Sequence, residues 1–222
     1  MTDQTCRTYL TLRCNLACWY CSNGTDIRWQ KSDELSADEW LHRIAELPCD
    51  DIVFTGGEPT LHAGFLDIVT QCPKHMNIYS NFFRPQPDFP KGLRIHWRAS
   101  CHAQTAEAAG DWIENVTAMR DLGYKMTLTT VYAPTHIAAI LKEHGIHVDS
   151  PQCHPVPIPG KVRCRLSRNL IAPDGQRYHC VSKLVRKDRT GLVPLRGGDT
   201  ILCDDATCCV PCDSIASERK PA

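Results

Sequence analysis

No stretch of this 222-residue chain approaches the ~18 consecutive apolar residues that a membrane-crossing helix takes. The opening Met1-Thr2-Asp3-Gln4-Thr5 lacks the basic stretch and apolar run of a secretory signal. The expected compartment is therefore the cytoplasm, with no membrane partner. Net charge is absent too, as are internal repeats and low-complexity tracts. With 42% hydrophobic and 23% charged residues, wholesale disorder and fibrous architectures are excluded. The length suits one compact domain, or one domain with a small appendix. Cysteine is the residue in excess, at fourteen copies. Disulfides are rare in chains that are not exported, so these thiols point to metal or redox chemistry.

The neutral total hides an uneven spread. Residues 1–160 carry 13 Lys and Arg against 18 Asp and Glu, and residues 161–196 carry 10 against 2. Residues 197–222 turn acidic again. The basic segment 161–196 is expected either to receive an anion or to form a solvated face beside the acidic region.

The first 150 residues alternate strand and helix signals. Strands are expected at 8–13, 51–54, 77–80, 93–99, 125–132 and 146–148. Helices are expected at 36–47, 62–71, 110–122 and 135–144. Ser36 and Glu39 form a capping-box pattern, and Gly123 stands where a helix C-cap is expected. Such alternation predicts an α/β fold of parallel strands, a partial (β/α)6 barrel or an open sheet. In either, ligands bind at the C-terminal ends of the strands. The segments 14–21, 56–60, 80–81 and 100–102 all follow expected strands, so they are expected to converge. Pro151, Pro155, Pro157, Pro159 and Gly160 then mark a crossing segment. The expected division is 1–150 for the barrel and 151–222 for a small Cys-rich appendix.

Cys14, Cys18 and Cys21 have C-x3-C-x2-C spacing. Three thiolates within eight residues suit an iron–sulfur cluster with one iron left open. Zinc bound by these three and a histidine stays open on spacing alone. Thr55-Gly56-Gly57-Glu58-Pro59 follows the second strand. Its glycines let a backbone approach a ligand, and its carboxylate can accept from an ammonium.

With Tyr20 at the aromatic position of C-x3-C-x-aromatic-C, and with the Gly-Gly-Glu-Pro segment, the chain resembles the radical SAM superfamily. The resemblance implies a partial TIM-like barrel. Its [4Fe–4S] cluster would be held by Cys14, Cys18 and Cys21. S-adenosylmethionine would be bound by Tyr20, Thr55, Gly56, Gly57 and Glu58, with Ser80, Asn81 and Ser100 as further contacts. Val131 is a candidate adenine contact, and Cys101, His102, Cys153 and His154 are candidates to border the pocket.

Cys164 and Cys180 bracket an Asp174-Gly175 turn. Cys164-x10-Gly175-x4-Cys180 resembles the opening of SPASM and twitch domains. This implies a second, auxiliary [4Fe–4S] cluster on Cys164, Cys180, Cys209 and Cys212, with Cys203 and Cys208 as alternates. Too few cysteines follow for two auxiliary clusters, so the shorter twitch version is expected. A structural zinc there is the alternative.

The resemblance implies reductive cleavage of S-adenosylmethionine to a 5′-deoxyadenosyl radical, which abstracts a substrate hydrogen. Oxidation, bond formation or rearrangement would follow. It also implies a flavodoxin- or ferredoxin-type electron donor. The basic segment 161–196 points to a phosphate-bearing substrate, a nucleotide or a base in nucleic acid. The absence of a recognisable leader-binding segment before residue 8 weighs against a peptide substrate. A ribosomal-peptide maturase and a sugar or metabolite dehydrogenase are the alternatives. A non-enzymatic electron carrier and a zinc module stand further off.

Overall fold

The computed structural model describes residues 5–21, 23, 27–84, 89–90, 92–130, 133–146, 162–165, 169–192, 200–203 and 220–221. Five strands form the frame: β1 (Cys6–Thr11), β2 (Asp51–Gly56), β3 (His75–Ser80), β4 (Ile95–Cys101) and β5 (Lys125–Thr130). Each pairs in parallel with the next, in chain order. Four helices accompany them: α1 (Ala37–Ala45), α2 (Phe65–Gln71), α3 (Ala106–Asp121) and α4 (Thr135–Glu143). All four bury one side in the same core as Leu10, Ile52, Phe54, Ile78 and Trp97 of the strands.

Local chemistry sets these boundaries. Ser36 caps α1 through a full capping box with Glu39. Gly123 takes φ +87 after α3 and donates to the Arg120 carbonyl at 2.8 Å. No helix spans β3 to β4 among the described residues. Phe82 and Phe89 fill that place, packing their rings against Trp97 with centroids 5.3 and 5.5 Å away.

Register sorts the strand side chains onto two faces. Cys6, Ile52, Met76 and Ile95 pair along one row, and Arg7, Val53, Asn77 and His96 along the next. The first row lies in the helix-packed core. The second belongs to the opposite face.

The sheet extends beyond the division expected at residue 150. β7 (Asn169–Ile171) lies parallel beside β1, and β8 (Arg177–Tyr178) pairs antiparallel with β7. The seven strands run β5-β4-β3-β2-β1-β7-β8. Asp174-Gly175 does make the tight turn, with Gly175 at φ +73. Helix α5 (Val181–Val185) then packs Leu184 and Val185 against Tyr9, Trp29 and Tyr178 in a second core. A separate three-stranded sheet has the order β10-β6-β9, from β6 (Val162–Arg165), β9 (Thr200–Cys203) and β10 (Lys220–Pro221). The strand expected at 146–148 falls largely outside the described residues.

Candidate active site at the C-terminal ends of the strands

The loops after β1, β2, β3 and β4 meet at one end of the sheet. Thr11 closes β1, and Arg13 anchors the root of the cysteine loop. Its guanidinium donates Nε to Glu34 Oε1 and Nη2 to Glu34 Oε2, both at 2.9 Å, and Nη2 also donates to the Leu61 carbonyl at 2.8 Å. Thr11 Oγ1 donates to the same carboxylate. A bidentate pair of this kind fixes direction as well as distance. Spacing offers no sign of it, because Glu34 lies 21 residues from Arg13.

The Gly-Gly segment is strapped to that root. Gly57 N–H donates to the Thr11 carbonyl at 3.0 Å, and Glu58 N–H to the Arg13 carbonyl at 2.8 Å. A Cβ on Gly56 would come within 1.9 Å of the Thr11 oxygen, and one on Gly57 within 2.2 Å of the Arg13 oxygen. Both glycines are thus required by the neighbouring loop, beyond any need to approach a ligand. Asn23 Nδ2 donates to the Gly56 carbonyl at 2.9 Å from the far side of the cysteine loop. No spacing in the sequence marks Asn23 for this part, since Gly56 lies 33 residues away.

Glu58 is buried, and desolvation pushes its carboxyl above the ordinary range. It accepts from Thr60 N–H (3.2 Å), Thr60 Oγ1 (2.7 Å) and Asn81 N–H (2.7 Å), with Ser80 a further donor. Four donors occupy the lone-pair positions of a carboxylate. In this geometry Glu58 joins the β2 loop to the β3 loop and places a negative charge beside the cysteines.

The β3 loop carries the next contact. Phe82 is held at φ +55, a left-handed backbone that costs a bulky residue about 1–2 kcal/mol. Its burial against Trp97 and the bond from Asn115 Nδ2 to its carbonyl (2.9 Å) hold it there. The bend presents Asn81 Nδ2 to Asn15 Oδ1 at 2.7 Å and to Cys14 Sγ at 3.7 Å. Ser80 is turned to the helix side, where its hydroxyl accepts from Phe82 N–H at 3.2 Å. Ser100 and Thr55 occupy the opposite face, and Ser100 reaches Thr129 Oγ1 at 3.4 Å.

After β4, the His102 ring stacks on Tyr20 with centroids 5.8 Å apart and planes at 10°. Its Nδ1 stands 3.1 Å from Tyr20 Oη and 3.8 Å from Cys18 Sγ. Burial lowers the His102 pKa to about 4, so the ring is neutral at pH 7. Cys101 faces the helix core, and burial raises its thiol to about 11.

Burial is also the main cause raising the Cys14 and Cys18 thiols, with neighbouring negative charge adding to it. Glu58, Cys21 and Cys18 all act on Cys14. Among the described residues no three His, Cys, Asp or Glu side chains could share a single metal ion. A zinc ion gathers its ligands to within about 2.3 Å of one point, whereas a four-iron cube spreads thiolates over separate irons. Three thiols on one loop fit a four-iron cluster that leaves one iron open. The Leu16 backbone N–H (3.4 Å) and the Asn81 side-chain Nδ2 (3.7 Å) aimed at Cys14 Sγ are donors of the kind that tune cluster thiolates.

Of the expected auxiliary ligands, Cys180 is half-buried at the N-cap of α5. Cys164 stands opposite Ile201 in the small sheet, and Cys203 opposite Val162. Cys208, Cys209 and Cys212 lie outside the described residues, as do Val131, Cys153 and His154. Beside Cys180, both ring nitrogens of His179 are buried without a hydrogen-bond partner among the described residues.

Residues 8–101 match the family described as the Radical SAM superfamily. Proteins of this superfamily use a [4Fe–4S] cluster and S-adenosylmethionine. The chain is similar to PqqA peptide cyclase from Gluconobacter oxydans (strain 621H), 37% identical over 75 residues, 32% of this chain and 20% of that one. It is likewise similar to GTP 3′,8-cyclase from Streptomyces coelicolor, 37% identical over 68 residues, 28% of this chain and 20% of that one. The matches thus span about a fifth of those relatives' lengths. The crystal structure of Streptococcus suis SuiB bound to S-adenosylmethionine has the same fold, with TM-score 0.50 and 15% identity over 66% of this chain and 40% of that one. Among the described residues no helix is long and apolar enough to cross a membrane.

Proposed function

We propose that the protein is a radical SAM enzyme that acts on a peptide. The observation carrying the radical reading is the junction of the Cys14–Cys21 loop with Gly56–Glu58 and Asn81, through the short bonds described above. Cys14, Cys18 and Cys21 would hold the [4Fe–4S] cluster. Tyr20, Thr55, Gly56, Gly57, Glu58, Ser80, Asn81 and Ser100 would surround S-adenosylmethionine. When bound, the cluster supplies the electron that splits S-adenosylmethionine and so provides the hydrogen-abstracting radical. The chain's own part is positional. Arg13 and Glu34 hold the loop root, and the two glycines let the loops touch. Glu58 keeps negative charge near the ligand's ammonium. Ser80 acts from the helix side, through the loop, while Thr55 and Ser100 line the open face.

A peptide substrate replaces the expected phosphate-bearing one. Its support is the likeness to peptide cyclases at 37% identity. The basic segment also weighs less than its count suggests. Lys183 Nζ meets Asp188 at 2.9 Å, and Lys187 Nζ meets Asp33 at 2.5 Å while standing over the Trp29 ring. Two of its cations are thus neutralised at home. A nucleotide is the second reading, favoured by the equal identity to a GTP cyclase. An auxiliary cluster on Cys164, Cys180, Cys209 and Cys212, with Cys203 or Cys208 as alternates, belongs to the same proposal, as does a flavodoxin- or ferredoxin-type donor.

The test is anaerobic reconstitution followed by S-adenosylmethionine, reductant and either a peptide pool, nucleotides, RNA or no addition. 5′-Deoxyadenosine should form, faster with peptides, and should vanish in Cys14→Ala. A protein with intact clusters that forms none above that blank would end the radical reading. Faster turnover with nucleotides alone would end the peptide assignment.

A further inference from the structure

The loop after β4 meets the cysteine loop at His102. Gln104 Nε2 holds the His102 carbonyl at 3.3 Å, and the imidazole ring is nearly parallel to the Tyr20 ring, with the planes 10° apart. His102 Nδ1 stands 3.1 Å from Tyr20 Oη and 3.8 Å from Cys18 Sγ. The Tyr20 hydroxyl bonds the Cys18 sulfur as well. A ring nitrogen and a hydroxyl, brought in by two loops, thus converge on one cysteine.

The two distances rank the contacts. A separation of 3.1 Å is an ordinary N···O hydrogen bond, whereas 3.8 Å to sulfur is a long one. His102 therefore acts on Cys18 chiefly through Tyr20. A neutral imidazole has one nitrogen that donates and one that accepts. With its proton on Nε2, the ring would accept the Tyr20 hydroxyl at Nδ1 and draw it away from the sulfur. With the proton on Nδ1, the ring donates to Tyr20 Oη and leaves the hydroxyl proton for Cys18. A cysteine bound to iron is a thiolate, and a thiolate only accepts. The second arrangement is the one that satisfies all three groups. Tyr20 is buried, so bulk water does not compete for the hydroxyl.

We propose that Tyr20 and His102 form a hydrogen-bond relay that tunes the cluster held by Cys14, Cys18 and Cys21. Tyr20 is the donor to the Cys18 thiolate, and His102 is a positioning residue that orients the Tyr20 hydroxyl. An aromatic ring without a hydroxyl would keep the C-x3-C-x-aromatic-C spacing and supply no such donor, so the relay is a property of this chain and not of the spacing. The reduced cluster carries one more negative charge than the oxidised one. A donor to its thiolate stabilises the reduced form more, and so raises the midpoint potential. The inference rests on the proposed ligation by these three cysteines.

The experiment is a redox titration of the reconstituted protein, followed by electron paramagnetic resonance. The signal that is absent from Cys14→Ala belongs to this cluster and is the one followed. Tyr20→Phe and His102→Leu should each lower its midpoint potential. At a fixed potential, the ratio of reduced to oxidised cluster should fall by about tenfold in Tyr20→Phe and by less in His102→Leu. His102→Asn keeps a donor near the Nδ1 position and should restore the wild-type potential. In the Tyr20→Phe background, His102→Leu should shift nothing further, because the relay passes through the hydroxyl. Iron per chain and melting midpoints accompany each variant, so lost packing is read separately from a shifted potential. Tyr20→Phe removes a single oxygen, and it decides the matter if His102→Leu does not fold. An unchanged potential in Tyr20→Phe overturns the relay, as does an equal His102→Leu shift with and without the hydroxyl. A His102→Asn potential as low as that of His102→Leu overturns the donor role of the ring. A wild-type signal no different from that of Cys14→Ala would strike the ligation, and the relay with it. A normal signal whose potential no variant moves would strike the relay alone.

Discussion

At the scale of single residues, Glu58 has the most to test. Its carboxyl is held above the ordinary 4.5 chiefly by burial, against four hydrogen bonds that favour the charge. The folded chain therefore keeps a proton that the unfolded chain releases. Stability falls as pH rises from 4.5 through the raised value. A bound ammonium favours the ionised form, so affinity for S-adenosylmethionine should rise with pH over the same window. Glu58→Gln should flatten both dependences and weaken binding by about tenfold, the scale expected for removing a nearby negative charge from an ammonium. Equilibrium binding to the cluster-loaded protein across mildly acidic to neutral pH measures it. Identical pH profiles for wild type and variant would remove the charge from the account. Glu58 was legible in the sequence as a ligand-facing acid. Its bond to Asn81 was not, because Asn81 lies 23 residues further on, in the loop after β3.

At the scale of elements, the loops after β1 and β2 behave as one unit. Gly56 at φ +140 and the absent Cβ of Gly57 let the two backbones touch. Gly57→Ala would drive a methyl into the Arg13 and Leu12 carbonyls, which are backbone atoms and cannot swing aside. The strain expected at such a position is about 1–3 kcal/mol, so the melting midpoint should fall by roughly 2–12 °C. Iron retention on reconstitution should fall with it, since the same contact holds the root of the cysteine loop. A differential scan of the two proteins, with iron counted per chain, decides the matter. An unchanged midpoint would mean that the loops part without cost. Helix α1 was legible to within a residue or two, because its Ser36–Glu39 capping box is a local pattern. The kink at Phe82 was not, because a phenylalanine takes a left-handed backbone only when surrounding contacts impose it.

At the scale of the whole molecule, residues 169–192 complete the sheet beside β1 rather than standing apart. Trp29 is the rivet. Its Nε1–H donates to the Leu184 carbonyl at 2.5 Å, its ring meets Tyr178, and it lies in the core shared with Tyr9 and Val185. Trp29→Ala should cost about 3–5 kcal/mol in that second core. Amide exchange should quicken in 169–192 while α1–α3 keep their protection. Uniform acceleration across the chain would instead mean that both cores unfold together.

Strand–helix alternation, the capping box, the cysteine spacing and the Gly-Gly-Glu-Pro segment are local patterns, and they were sufficient for the parallel α/β fold class and for the end of the sheet at which these loops meet. The outcomes that needed tertiary structure all depend on residues distant in sequence. They include β7 lying on β1, Glu34 gripping Arg13, His102 stacking on Tyr20, and two arginines sharing the Tyr79 ring. The basic segment shows the same divide. Its charge could be counted from composition, but the pairing of Lys187 with Asp33, 154 residues away, appears only when the chain is folded. Periodicity and spacing record what a short stretch prefers. Which stretches become neighbours is set by burying one continuous core, and that depends on the whole chain at once.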